Sequence, residues 1–83
     1  MEYDHRIMGQ VIGILRTERN LSQAQLAVSA GLARSHLAMI ENGRKSASVE
    51  TLWNIAASLG IPLSELIVIV EEKIATTRHP ANA

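Results

Sequence analysis

The sequence predicts an all-α fold, a small bundle of five helices, and three observations lead there. Apolar residues recur at three- and four-residue spacing along most of the chain, as one face of a helix requires. Helix punctuation separates these runs: Ser22 with Gln25, then Gly31, Gly43, Ser48, Gly60 and Pro62. The 83 residues contain no Phe, one Tyr and one Trp, so the core is expected from Leu, Ile, Val, Ala and Met, in a single domain too short to bury much surface.

Residues 1–6 show no periodicity and are expected to form a loose arm. A first helix is expected over Ile7–Arg19, with Ile7, Val11, Ile14 and Leu15 on one face and Met8 and Ile12 beside them. Gly9 and Gly13 inside it each cost up to about 1 kcal/mol relative to Ala and point to close helix approach. Asn20 is placed to stop the helix.

Ser22 and Gln25 form a capping-box signature for a second helix, whose apolar stripe is Leu26, Ala27 and Ala30. Gly31 sits where the chain has to leave it, a position that favours positive φ. A third helix, Ala33–Asn42, puts Leu37 and Ile40 on one side, with Leu32 just before them. At 100° per residue, Arg34, Ser35, Ala38, Met39 and Asn42 fall on the opposite side. One face serves the core and one is on offer. Gly43 ends the helix, and Arg44 and Lys45 follow at once. Two short helices joined by a tight turn make a helix-turn-helix.

Ser48 is the expected N-cap of a fourth helix, Val49–Leu59, with Val49, Leu52, Ile55, Ala56 and Leu59 inward. Gly60 ends it, and Pro62 opens a fifth from Leu63 to about Thr76. By propensity alone the run LIVIV at residues 66–70 reads as a strand, but the Pro, Ser and Glu before it and EEK after it punctuate a helix. That helix is richer in aliphatics than one buried face needs. Leu63, Leu66, Ile67, Val70 and Ile74 cover the domain, so Val68 and Ile69, with Trp53 on the flank of helix four, are expected to form a patch that invites a second subunit. Residues 77–83 are expected to fray, and nothing divides residues 1–83 into further domains.

These residues resemble the lambda-repressor and Cro-like (XRE) helix-turn-helix regulators from about Ile7 to about Ile67. The resemblance is carried by LSQAQLA at 21–27, Gly31, IENGRK at 40–45 and ETLWNIAASLGIPLSEL at 50–66, four pieces in order at the family's spacing. It implies a five-helix domain of the lambda-repressor-like type whose third helix enters the DNA major groove. Carried over by position, it implies that Arg34, Ser35, Ala38 and Met39 face bases while Gln23, Asn42, Arg44 and Lys45 hold phosphates. Arg34 has the side chain that best reaches the paired acceptors of guanine, whereas Ala38 and Met39 read at most a thymine methyl. The resemblance also implies that Gln23 braces the neighbouring recognition residue and that Arg16 and Glu41 form a structural ion pair. At Ala33 the chain departs from the Ser or Thr that often caps this helix, which should let the helix fray more easily, by about 1 kcal/mol.

Eight Lys and Arg balance eight Asp and Glu, against a protein that coats nucleic acid indiscriminately. The distribution is uneven: Arg34, Arg44 and Lys45 face only Glu41 between residues 30 and 49, while Glu65, Glu71 and Glu72 lie in the last helix. With no Cys there is neither a disulfide framework nor a thiolate metal site. His5, His36 and His79 are scattered, Glu71 and Glu72 are adjacent and diverge on a helix, and no phosphate loop or nucleophile elbow occurs, so neither an enzyme nor a metal or cofactor site is expected. The charged N-terminus lacks the apolar run of a signal peptide, and no window reaches the ~18 to 20 apolar residues of a membrane span; a cytoplasmic protein is expected. Taken together, the residues and the resemblance lead to the expectation of a repressor that binds double-stranded DNA as a homodimer at a palindromic operator, with no small-molecule ligand. The rival expectation is a protein-interaction module, such as an antitoxin, that uses the apolar last helix to grip another protein.

Overall fold

A computed structural model describes residues 2–78 and, among these, five helices and no strand: α1 (His5–Glu18), α2 (Gln23–Ala30), α3 (Arg34–Glu41), α4 (Val49–Ser58) and α5 (Leu63–Arg78). The run LIVIV is helical throughout. α1 packs on α3 and α5, α2 on α3 and α4, and α4 on α5. One core lies between them, with Ile12, Leu26, Leu37, Ile55 and Leu66 fully enclosed.

The four connections open in the same way. Asn20, Gly31, Gly43 and Gly60 all have positive φ, and in each case the next residue's N–H donates back to a carbonyl five positions earlier, closing the helix end with its orphan carbonyl satisfied. Of the consecutive helices, α2 and α3 pack directly on each other, as do α4 and α5.

Of the residues expected in a loose arm, Asp4, His5 and Arg6 belong to the start of α1. Asp4 is buried and caps α1, accepting the Arg6 N–H at 2.9 Å and binding the Arg6 guanidinium through both oxygens at 3.2 Å. His5 lies in the first turn of α1, with Nε2 3.1 Å from the Gly43 carbonyl oxygen. Four further readings are corrected. Ile14 is 46% exposed because the flank of α1 beyond Gly9 and Gly13 borders an open trough instead of another helix. Val49, the first residue of α4, is 70% exposed and not inward. Ile69 is half-buried against its own core, so the patch on α5 is narrower than expected. Thr77 and Arg78 continue α5, which trims the expected tail; residues 79–83, with His79, lie outside the described residues.

Gly9 explains how closely α1 approaches α3. A Cβ there would overlap the Ile40 carbonyl oxygen and stand 3.0 Å from that of Glu41, so only Gly fits. No single helix among the described residues is long and apolar enough to cross a membrane; α4 and α5 pass that test only as a pair, and they are bent by 100°.

Candidate nucleic-acid interface

The helix-turn-helix is built from local signals. Ser22 and Gln25 make the reciprocal capping box expected, with the hydroxyl accepting the Gln25 N–H at 3.0 Å and the Gln25 amide oxygen accepting the Ser22 N–H at 2.8 Å. Leu26, Ala27 and Ala30 turn α2 inward, and Leu37 and Ile40 do the same for α3. Opposite them, Arg34 and Ser35 are exposed, Met39 is 40% exposed and Ala38 is half-buried. α3 thus presents a surface with one cation, one hydroxyl and one flexible thioether. Ala33 makes no side-chain cap bond, so α3 begins with donor N–H groups that its own cap does not satisfy.

At the other end of α3, the Met39 carbonyl accepts the N–H of Arg44 at 2.9 Å and of Lys45 at 3.2 Å, and Asn42 Oδ1 accepts the Arg44 N–H at 3.1 Å. These bonds fix the backbone of the turn and leave the Arg44 and Lys45 side chains exposed. Asn42 spends its oxygen locally and has its NH2 left to donate outward.

Arg16 and Glu41 form the expected ion pair. Arg16 Nε and Nη2 donate to the two carboxylate oxygens at 2.7 and 3.0 Å, and Nη1 donates to the Leu21 carbonyl at 2.8 Å. Both side chains are largely buried, at 14% and 9% exposure. The Arg16 guanidinium is held above its ordinary value chiefly by the hydrogen bond to Glu41; burial opposes this and the Glu41 charge adds to it. Gln23 links this pair to the surface, donating from Nε2 to Glu41 Oε1 at 3.1 Å and accepting from Arg34 Nη1 at 3.1 Å.

Of the residues singled out in sequence, the structure brings Arg16, Glu41, Gln23 and Arg34 into one hydrogen-bonded line, with Ser35 and Met39 on the same helix. The patch residues Trp53 and Val68, 63% and 50% exposed, belong to α4 and α5. Sequence reasoning missed the support supplied by Asp4, His5 and Arg6, the last of which lies against Gly43. It also missed Arg19, whose Nε donates to the Leu59 carbonyl at 2.7 Å and ties the end of α1 to the end of α4. Asp4, a residue type favoured at helix N-caps, was the available signal for the first, and a basic residue at a helix end for the second.

This fold and site define a helix-turn-helix protein. Residues 12–66 match the family model HTH_3, described as helix-turn-helix. The chain is 47% identical over 60 residues to the immunity repressor protein of Bacillus phage phi105, covering 72% of this chain and 42% of the repressor. It is 30% identical over 73 residues to the HTH-type transcriptional regulator y4dJ of Sinorhizobium fredii, covering 88% of this chain and 95% of that one. Among solved structures, the restriction-modification controller protein C.AhdI of Aeromonas hydrophila superposes with a TM-score of 0.73 at 36% identity, over 76% of this chain and 96% of the controller. The chain belongs to the HTH_3 family of XRE-type helix-turn-helix DNA-binding transcription regulators. The relatives named here are regulators, not enzymes.

Proposed function

We propose that this chain represses transcription from the cytoplasm as a homodimer bound to an inverted-repeat operator in double-stranded DNA. The observation that carries the reading is the outward face of α3: exposed Arg34 and Ser35 at its start, Met39 beyond them, Gln23 at its foot and Arg44 and Lys45 past its end. Arg34 reads a base pair, with Ser35, Ala38 and Met39 lining the groove beside it. Gln23, Asn42, Arg44 and Lys45 hold phosphates. Repression is supported by the name of the phage relative, and the dimer by the aliphatic surface of α5, with Val68 central, Ile69 beneath it and Trp53 at the rim. A two-fold axis there would turn two copies of α3 to the same side, about 34 Å apart if they enter successive major grooves.

Selection of bound sites from random duplex DNA tests the reading: an enriched inverted repeat is expected, and the absence of any enriched sequence would remove it. On the selected site, Arg44→Ala and Lys45→Ala should each lower the salt slope by roughly one unit on all duplexes alike. Arg34→Ala should cost about 1 to 3 kcal/mol on the best site and much less elsewhere. Val68→Glu alters the exposed part of the α5 patch without touching the core; sedimentation should show a folded monomer. A parent chain that is monomeric at micromolar concentration and binds no DNA would favour the protein-interaction module instead.

A further inference from the structure

We propose that Glu41, which faces away from the groove, is a specificity-positioning residue that acts through Gln23 to fix where the Arg34 guanidinium stands. The inference rests on the reading of α3 as the base-facing helix.

The argument is one of hydrogen-bond direction. Arg16 can only donate and an ionised Glu41 can only accept. Arg16 is immobilised by three bonds, two to Glu41 and one to the Leu21 carbonyl. Gly13 leaves the room that the carboxylate occupies, since a Cβ there would lie 3.3 Å from Glu41 Oε1. The carboxylate is therefore fixed in place, and Oε1 accepts from Gln23 Nε2 as well as from Arg16 Nη2.

Gln23 is the one group in the line with both a donor and an acceptor. With its NH2 turned to Glu41, its oxygen faces outward, where it accepts from Arg34 Nη1 at 3.1 Å. The opposite orientation would set oxygen against carboxylate and NH2 against guanidinium, replacing two attractive contacts with two repulsive ones. The buried pair thus selects one amide orientation, and that orientation accepts only a donor at position 34.

Arg34 and Glu41 are the first and last residues of α3, and Gln23 spans the gap between them from α2. The line closes a loop from the end of the recognition helix, through the neighbouring helix, back to its reading end. An exposed arginine with a fixed acceptor on one Nη loses rotamer freedom before DNA arrives, and its remaining donors keep a defined direction. Glu41 contributes to selectivity at a base pair that it never approaches.

The test compares the selected site with the same duplex altered at the one base pair whose preference Arg34→Ala abolishes. Glu41→Gln keeps the side-chain size but no longer dictates how the Gln23 amide turns. Preference at that base pair should fall about 2- to 10-fold, the net range of one ordinary hydrogen bond, while preference at other positions and the salt slope stay as in the parent. In an Arg34→Ala background, Glu41→Gln should change nothing further at that pair. Because Glu41→Gln weakens a buried ion pair, Gln23→Met provides a second cut that leaves Arg16 and Glu41 together; it should weaken all duplexes through its lost phosphate contact and, on top of that, give the same loss of preference at the same base pair. Unchanged preference in both variants, a loss of preference spread evenly over all positions, or an equal loss without Arg34 would each overturn the proposal. NMR of the free protein separates this inference from the reading beneath it. The Gln23 side-chain amide signals should shift in Glu41→Gln, and signals that do not shift overturn the relay itself. Signals that shift in a chain whose parent has no sequence preference overturn the DNA reading, and the specificity role with it.

Discussion

α2 and α3 are both eight residues long, pack on each other and end on a left-handed glycine, yet they are not held alike. α2 is secured by its own neighbours in sequence: a capping box at one end and a left-handed glycine at the other. α3 has no side-chain cap at its start, and at its finish the local turn at left-handed Gly43 is reinforced by distant residues. Gly9 lets α1 press against the Ile40 carbonyl, His5 meets the Gly43 carbonyl, and Arg16 holds Glu41. The helix that offers its surface is thus clamped by other helices at its C-terminal end, while its N-terminal end has no side-chain cap and Arg34 there is held through its side chain by Gln23. The difference teaches that a helix that offers its surface need not be locally strong at both ends; tertiary contacts can carry it.

The sharpest way to break this contrast is Gly9→Ala. The added methyl meets backbone oxygens of Ile40 and Glu41, which cannot rotate away as a side chain would. Overpacking costs typically 1 to 3 kcal/mol and occasionally more, and a clash with backbone belongs at or above about 3 kcal/mol. For a domain of this size each kcal/mol lowers the melting temperature by roughly 4 to 8 °C, so a fall of about 12 °C or more is expected in thermal denaturation followed by circular dichroism. A fall of only one or two degrees would show that α3 does not depend on α1 in this way.

What the sequence made legible follows the same division. Ser22, Gln25, Gly31 and the stripe Leu26, Ala27 and Ala30 were readable because each signal lies within a few residues of its partner. The outward face of α3 was readable from periodicity. The pairing of Arg16 with Glu41 spans 25 residues and was reached only through family resemblance. Periodicity gives a direction but not whether a neighbour lies there, which is why Ile14 and Val49 were placed inside. Asp4 and His5 escaped notice for the converse reason: a polar, aperiodic start looks like an arm until the turn at Gly43 folds against it. The line from Glu41 through Gln23 to Arg34 depends on three residues on two helices, and no spacing rule encodes which way an amide turns.

On the α2 side the contrast is tested by Ser22→Ala. The variant loses the acceptor for the Gln25 N–H, and the Gln25 side chain loses its reciprocal role. N-cap replacements of this kind cost about 1 kcal/mol, within a range of ~0.5 to 2. A shift of roughly 4 to 8 °C is expected, with earlier amide hydrogen exchange in the first turn of α2 than in α3. If exchange quickened first in α3, the two helices would not be held independently.

The smallest effect expected is a gain. Ala33 occupies the N-cap of α3 with φ −69° and ψ 143°, the extended geometry in which a capping hydroxyl works, and it makes no cap bond. The residue is exposed, so a hydroxyl fits without displacing a neighbour. Ala33→Ser should therefore supply the missing acceptor to a first-turn N–H and stabilise the free protein by about 0.5 to 1 kcal/mol. If a DNA phosphate also reaches this end of α3, a contact beyond those of Gln23, Asn42, Arg44 and Lys45, it takes the same N–H groups, where the helix dipole favours an anion. A serine hydroxyl competes for them. The variant is thus expected to melt a few degrees higher than the parent while binding the selected duplex no more tightly, and its advantage in melting temperature should shrink when DNA is present. Equal stabilisation with and without DNA would mean that the start of α3 donates nothing to the phosphates, and that its missing cap is only a local weakness.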